Sequence, residues 1–214
     1  PDFIFHLAAQ AIVRRSYLNP PETWSTNLIG TINILESIRS LNKLCACVLI
    51  TSDKCYLNNE WIWGYRESDT LGGSDPYSAS KASAELAIKS YFDSFFRDND
   101  SLVRITSARA GNVIGGGDWS EDRIVPDCIR AWSNSKKVKL RSPQSTRPWQ
   151  HVLEPLSGYL TLGSRLSLDP SLHGESFNFG PNSNQNYSVK ELVIKMSKYW
   201  DKVKWEDASD NSGP

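Results

Sequence analysis

Cys45 to Ile50 reads CACVLI, six apolar residues without a polar interruption, and Pro1 to Ala8 (PDFIFHLA) is nearly as apolar. A strand can be apolar on successive residues only when both of its faces are covered, as in a parallel sheet with helices above and below. Between the two runs, past Pro20 and Pro21, the residues Trp24, Leu28, Ile32, Leu35 and Ile38 recur at helical spacing. They predict one apolar helix face, with proline in the first turn, where a missing N–H is tolerated. After the second run, Asp75 and Pro76 introduce a predicted helix over 74–96, and Leu102 to Ala110 supplies a third strand. Strand and helix alternate, so the expected class is α/β with a parallel sheet.

Beyond Gly111 the pattern shortens. A helix is expected near Ile124 to Trp132, a strand near Val138 to Arg141, a helix from Glu154 and a strand at Phe177 to Phe179. Ser188 and Glu191 form an S-x-x-E capping box ahead of a last helix. The expected division is therefore 1–112 for the sheet domain and 113–214 for a smaller, mainly substrate-binding lobe.

Twenty-four Lys and Arg balance twenty-four Asp and Glu. No basic field exists to gather nucleic acid or an anionic membrane, so any anionic ligand has to be held by individually placed residues. The longest apolar runs are too short to cross a bilayer core of about 30 Å, and no basic leader precedes Pro1, which together give a cytoplasmic expectation. Cys45, Cys47, Cys55 and Cys128 lack the paired spacing of a metal site. Buried thiols and no metal are expected.

The strand at Cys45 ends in Thr51, Ser52, Asp53 and Lys54, at the carboxyl edge where open α/β sheets place their ligands. Tyr77 and Lys81 stand four apart on the next predicted helix, so they share a face one turn apart. A phenol is a poor base near neutrality, with a reference pKa of about 10; a neighbouring ammonium favours its phenolate. Such a tyrosine can take a hydroxyl proton while a hydride leaves, and Ser52 can hydrogen-bond the reacting oxygen.

Together Ser52, Tyr77 and Lys81 resemble the Ser-Tyr-Lys set of the short-chain dehydrogenase/reductase superfamily. HLAAQ (His6 to Gln10) resembles its strand-end segment beside the cofactor, and NLIGT (Asn27 to Thr31) the N-x-x-G-T of its extended branch. Longer stretches are similar to the CDP-glucose 4,6-dehydratase family: TSDKCY (51–56), EWIWGYRESDTLGGSDPYSASKASAEL (60–86), RAGNVIGGGDW (109–119), DRIVPD (122–127) and RPWQHVLEPLSGYL (147–160).

The resemblance implies a partial Rossmann doubly wound sheet and NAD as cofactor, with Leu7, Ala8, Ala9, Tyr77 and Lys81 beside it. It implies oxidation at C4 of a CDP-bound glucose, loss of water across C5 and C6, and return of the hydride to C6. Asp53 is then the acid for the departing C6 hydroxyl. Lys54, where related dehydratases carry glutamate, is the C5 base; a lysine serves there only if its neutral form is accessible. For the substrate, Ser52, Asn112, Arg123, Arg147 and His151 are implied. Arginine suits a diphosphate because its guanidinium bonds phosphate oxygens two at a time. Arg14, Arg15 and Arg141 read as surface charge. Gly115 to Gly117 lack G-x-G-x-x-G spacing and read as a permissive turn. Trp61, Trp63 and Tyr65 read either as a base-stacking cluster or as a loop packed over the core.

No glycine fingerprint for a diphosphate occurs in the 214 residues. The expectation is a fragment, lacking family sequence at both ends, with the edge of Phe3 to Ala8 left unpaired and no tight NAD binding in isolation. A homodimer through the helices at 21–41 and 77–96 is implied for the whole protein. Two other functions fit part of the pattern. A related nucleotide-sugar epimerase or another dehydratase shares the fold, Tyr77 and Lys81, though simple C4 epimerisation needs no elimination acid, and a non-catalytic binding protein on the same fold has no need of the triad.

Overall fold

The structure is a computed structural model and describes residues 1–98, 101–182 and 185–209. The chain opens with β1 (Phe3–His6), α1 (Val13–Leu18) and α2 (Pro20–Trp24), which runs through a π turn at Ser25–Ile29 into α3 (Gly30–Arg39). Strand β2 (Cys45–Ile50), a 3-10 turn at Asp53–Cys55, α4 (Pro76–Tyr91), a π turn at Phe92–Phe96 and β3 (Val103–Ala110) follow. Next come β4 (Val113–Ile114), α5 (Ile124–Ser133), β5 (Val138–Leu140), β6 (Thr146–Arg147), β7 (Gln150–His151) and α6 (Leu153–Leu168). The last elements are a 3-10 turn at Pro170–Leu172, β8 (Ser176–Phe179), β9 (Tyr187–Ser188), α7 (Val189–Ser197) and β10 (Trp205–Asp207).

Two compact units result, one from Pro1–Gly111 with Leu153–Phe179, the other from Asn112–Val152 with Gly180–Pro214. The first holds a four-stranded parallel sheet in the order β1-β2-β3-β8. Alternate residues of β2 face opposite ways. Cys45, Cys47 and Leu49 pack with Leu35 and Ile38 of α3 and Ile88 of α4, while Val48 packs with Tyr159 and Leu162 of α6. Helices on both faces explain why CACVLI carries no polar residue.

The sequence-based boundary at 112/113 differs from this division by one residue, Asn112, and in one segment. Residues 153–179 were expected in the lobe, but α6 covers the second face of the sheet and β8 extends it, with Ser107 opposite Ser176 and Ala110 opposite Phe179. A second difference concerns the faces of β1, expected to be buried on both sides: Phe3 is 45% exposed and Ile4, Phe5 and His6 are half-buried. Among the described residues β1 pairs only with β2, so its outer edge is the one expected to be left unpaired.

The apolar face expected of the helix formed by α2 and α3 is also turned. In its first half the buried residues are Thr23, Asn27 and Thr31, with Trp24, Leu28 and Ile32 half-buried; Leu35 and Ile38 are buried as expected. A π turn holds more residues than an α turn. Through Ser25–Ile29 it lets positions four apart, rather than the shorter α period, follow the core.

The second unit contains three two-stranded pairs, β4 with β7, β5 with β10 and β6 with β9. Cys128, Trp132, Val138, Leu140 and Val193 form its core. Ser188 caps α7 as expected: its hydroxyl accepts from Glu191 N at 3.2 Å, and Glu191 Oε2 accepts from Ser188 N at 2.7 Å. Gly117 adopts φ +83°, consistent with a permissive turn at 115–117.

Candidate active site

Ser52 leaves β2 and caps the 3-10 turn. Its Oγ accepts from Lys54 N at 3.2 Å and donates to Asp53 Oδ1 at 3.0 Å. Three of the five expected catalytic residues thus occupy one turn at the carboxyl end of a central strand. The other two lie on α4. Asp75 caps that helix through Ser78 N at 2.9 Å, and Pro76 occupies its first position. Tyr77 is 7% exposed and Lys81 5%, one turn apart. Helix α4 packs directly on the Asp53–Cys55 turn, with Ala82 in a cluster with Cys55 and Tyr56. The structure therefore gathers Ser52, Asp53, Lys54, Tyr77 and Lys81 in one unit, from one strand end and the helix that covers it.

Burial dominates the electrostatics of Lys81. It lowers the amine from 10.5 to about 8, against the opposing charges of Glu85 and Cys55. His6, at the end of β1, is lowered too, first by burial and then by the Lys81 charge. The buried thiols of Cys47, Cys55 and Cys128 are each pushed up to about 12 by burial, far from the range of reactive thiolates.

Leu7, Ala8 and Ala9 follow β1; Leu7 is 48% exposed, Ala8 exposed and Ala9 half-buried. The path of this segment is held by Gln10, whose N donates to Asn27 Oδ1 at 2.8 Å and whose O accepts from Asn27 Nδ2 at 3.0 Å. Gln10 Nε2 donates to Thr23 Oγ1 at 2.8 Å. Sequence reasoning assigned Asn27 no role of its own; the signal available was a polar residue at helical spacing from two buried threonines.

It also passed over a buried ion pair beneath Lys81. Glu85 and Arg109 have side chains 2% and 4% exposed, with Nη2 to Oε2 at 2.7 Å. Arg109 Nη1 donates to Tyr56 Oη at 2.8 Å, and its guanidinium lies 5.1 Å from the centre of that ring. Tyr65 stacks on Tyr56 at 5.2 Å and Trp61 lies 5.4 Å from Tyr65. Tyr65 packs on the core, while Trp61 and Trp63 are 43% and 68% exposed.

The remaining expected residues belong to the second unit. Asn112 precedes β4 and its O accepts from Gln150 N at 3.1 Å. Arg123 precedes α5 and pairs with Asp118 at 3.7 Å. Arg147 lies in β6, half-buried, and donates from Nη1 to Thr146 O at 2.7 Å. His151 ends β7 and is exposed. Arg15 and Arg141 pair with Glu22 and Asp122, as surface charges do. Among the described residues no group of His, Cys, Asp and Glu is placed to hold a metal ion, and no helix is long and apolar enough to cross a membrane.

A parallel sheet covered by helices on both faces, with a serine at a strand end and a Tyr-x-x-x-Lys pair on the next helix, defines a Rossmann-type protein of the short-chain dehydrogenase/reductase kind. Residues 1–212 match the family described as GDP-mannose 4,6 dehydratase, and the chain belongs to that family. It is 48% identical over 209 residues to CDP-glucose 4,6-dehydratase of Salmonella typhimurium, covering 96% of this chain and 58% of that protein. The chain thus spans less than two thirds of that relative's length. Among solved structures, UDP-glucuronic acid 4-epimerase from Bacillus cereus, in complex with UDP-glucuronic acid and NAD, gives a TM-score of 0.84 at 20% identity, covering 98% of this chain and 63% of that one. A double mutant of dTDP-glucose 4,6-dehydratase from Streptomyces venezuelae, with NAD bound, gives 0.80 at 20% identity, covering all of this chain and 62% of that one.

Proposed function

We propose that the chain carries the proton-transfer centre of an NAD-dependent nucleotide-sugar 4,6-dehydratase that converts CDP-glucose to CDP-4-keto-6-deoxyglucose, a hydro-lyase. The observation that carries this reading is the packing of α4, bearing buried Tyr77 and Lys81, on the turn that bears Ser52, Asp53 and Lys54.

The residues present suit the nicotinamide side of NAD. Lys81 is a buried amine one turn from the Tyr77 phenol, a donor pair fitted to ribose hydroxyls, and the small side chains of Ala8 and Ala9 let a flat ring approach the strand end. Bound there, NAD would supply a reversible hydride acceptor for C4, so that the reaction would have no net oxidation.

Ser52 holds the C4 oxygen and Tyr77 takes its proton, with the Lys81 ammonium stabilising the phenolate. Asp53 protonates the departing C6 hydroxyl and Lys54 removes the C5 proton, made acidic by the adjacent ketone. The Ser52–Asp53 hydrogen bond, 3.0 Å long, couples two of these roles. Arg123 and Arg147 are proposed for the diphosphate, with Asn112 and His151 as further substrate contacts, on their side-chain chemistry and motif positions.

The family match supports a nucleotide-sugar-using enzyme, for which a cytoplasmic location is proposed. The exposed apolar residues Ile29, Leu86 and Phe95 support a homodimer through the crossover helices.

The test is to offer CDP-glucose to the full-length protein and to its Lys54→Ala variant. The expected result is a 4-keto-6-deoxy sugar from the first and none from the second, with NAD content equal in both. Wild-type turnover by Lys54→Ala removes the lysine from the mechanism, and recovery of a C4 epimer as the product assigns the protein to epimerisation.

A further inference from the structure

Tyr77, Lys81 and Glu85 fall four residues apart on one face of α4, and Glu85, only 3% exposed, is the innermost of the three. Its carboxylate is shared between two strands. Oε1 accepts from the hydroxyl of Thr51, the residue that immediately precedes Ser52. Oε2 accepts from Ser107 Oγ at 2.9 Å and from Arg109 Nη2 at 2.7 Å, both on β3. Thr51 is itself fixed, its N donating to Ala108 O at 2.9 Å as a continuation of the β2–β3 ladder. A buried carboxylate is costly unless its oxygens are bonded, and helix packing alone asks only for an apolar side chain here. The Thr51 hydroxyl ties α4 to the segment that carries Ser52, while Ser107 and Arg109 satisfy the other carboxylate oxygen from β3.

We propose that Glu85 is a positioning residue, holding Tyr77 and Lys81 in register with Ser52 through the Thr51 hydroxyl. The inference rests on the reading of Tyr77 as the proton acceptor. A second contribution follows from the same placement. Lys81 faces Glu85 on its own helix, His6 on β1 and Cys55 on the 3-10 turn, and the Glu85 charge opposes the loss of the Lys81 proton that burial favours.

Thr51→Val and Ser107→Ala each remove one hydroxyl from the carboxylate and leave the Glu85–Arg109 pair intact, but Thr51 is the residue next to Ser52, whereas the Ser107 hydroxyl lies on β3 and also bonds Ser176 Oγ on β8 at 2.8 Å. In the full-length, NAD-loaded protein acting on CDP-glucose, Thr51→Val is expected to lower kcat about tenfold. Its KM should stay within twofold, with NAD content unchanged. Ser107→Ala should keep kcat within twofold while losing a similar amount in Tm. Glu85→Gln is expected to move the alkaline limb of kcat to lower pH, and Glu85→Asp to restore it. The inference is overturned if Thr51→Val turns over within twofold of the wild type, or if kcat falls alike in the two hydroxyl variants in step with Tm. Tyr77→Phe separates the two readings. Full activity there overturns the proposed function, whereas an inactive Tyr77→Phe beside an unaffected Thr51→Val overturns only the role of Glu85.

Discussion

Asn27 Nδ2 donates to Ser80 Oγ over 2.9 Å, joining the π turn of one crossover helix to the residue beside Lys81 on the other. The same amide holds both backbone groups of Gln10. One side chain, 1% exposed, therefore ties together the segment after β1, the turn between α2 and α3, and α4. A polar residue could be placed there only because each of its bonds has a buried partner.

Replacement of Asn27 by leucine keeps the bulk and strands the backbone N–H and C=O of Gln10. Stranded buried groups cost about 1–3 kcal/mol each. The full-length protein is expected to lose about 2–4 kcal/mol in urea denaturation, and a loss below about 1 kcal/mol would show that water replaces the amide.

Lys81 sets stability against function. Its folded value of about 8 lies below the ordinary 10.5, so the unfolded chain holds the extra proton between those two pH values and stability rises with pH across that window. Below about pH 8 the penalty is present in full. At about 1.4 kcal/mol for each tenfold change in proton affinity it amounts to roughly 3 kcal/mol. Lys81→Met is therefore expected to raise the stability of the cofactor-free protein by about 1–3 kcal/mol at pH 7, to lose that advantage as pH approaches 10.5, and to abolish turnover. Denaturation at pH 7 and pH 10 reads the difference; equal effects at both would contradict a buried, desolvated amine.

Strand β2 and helix α4 were legible in the sequence because their signals are local: an unbroken apolar run, and a Pro after an Asp cap ahead of Tyr77 and Lys81. The cluster at 52–54 was legible because a strand end is. The stripe Thr23, Asn27 and Thr31 was not, since the search for a helix face looks for apolar residues and assumes a constant period, and the π turn breaks that assumption. The return of 153–179 to the first unit depends on pairing Ser107 with Ser176, a contact far apart along the chain that composition does not encode. Glu85 and Arg109 are visible in sequence only as charges inside otherwise buried segments, and nothing local states that they face each other.

That pairing leads to the last expectation. Arg109→Met removes the guanidinium and leaves Glu85 buried with only the hydroxyls of Thr51 and Ser107 as donors. Breaking one partner of a buried pair costs about 3–5 kcal/mol, whereas replacing both by neutral groups of similar volume can be nearly neutral. The double variant Glu85→Gln with Arg109→Met is therefore expected to be more stable than Arg109→Met alone, with a coupling energy of about 2 kcal/mol or more in a double-mutant cycle. Because the positioning role of Glu85 depends on its charge and its reach to Thr51, the recovered stability should not bring back kcat. Single losses that simply add, with no recovery in the double variant, would show that the two side chains contribute separately and not as a pair.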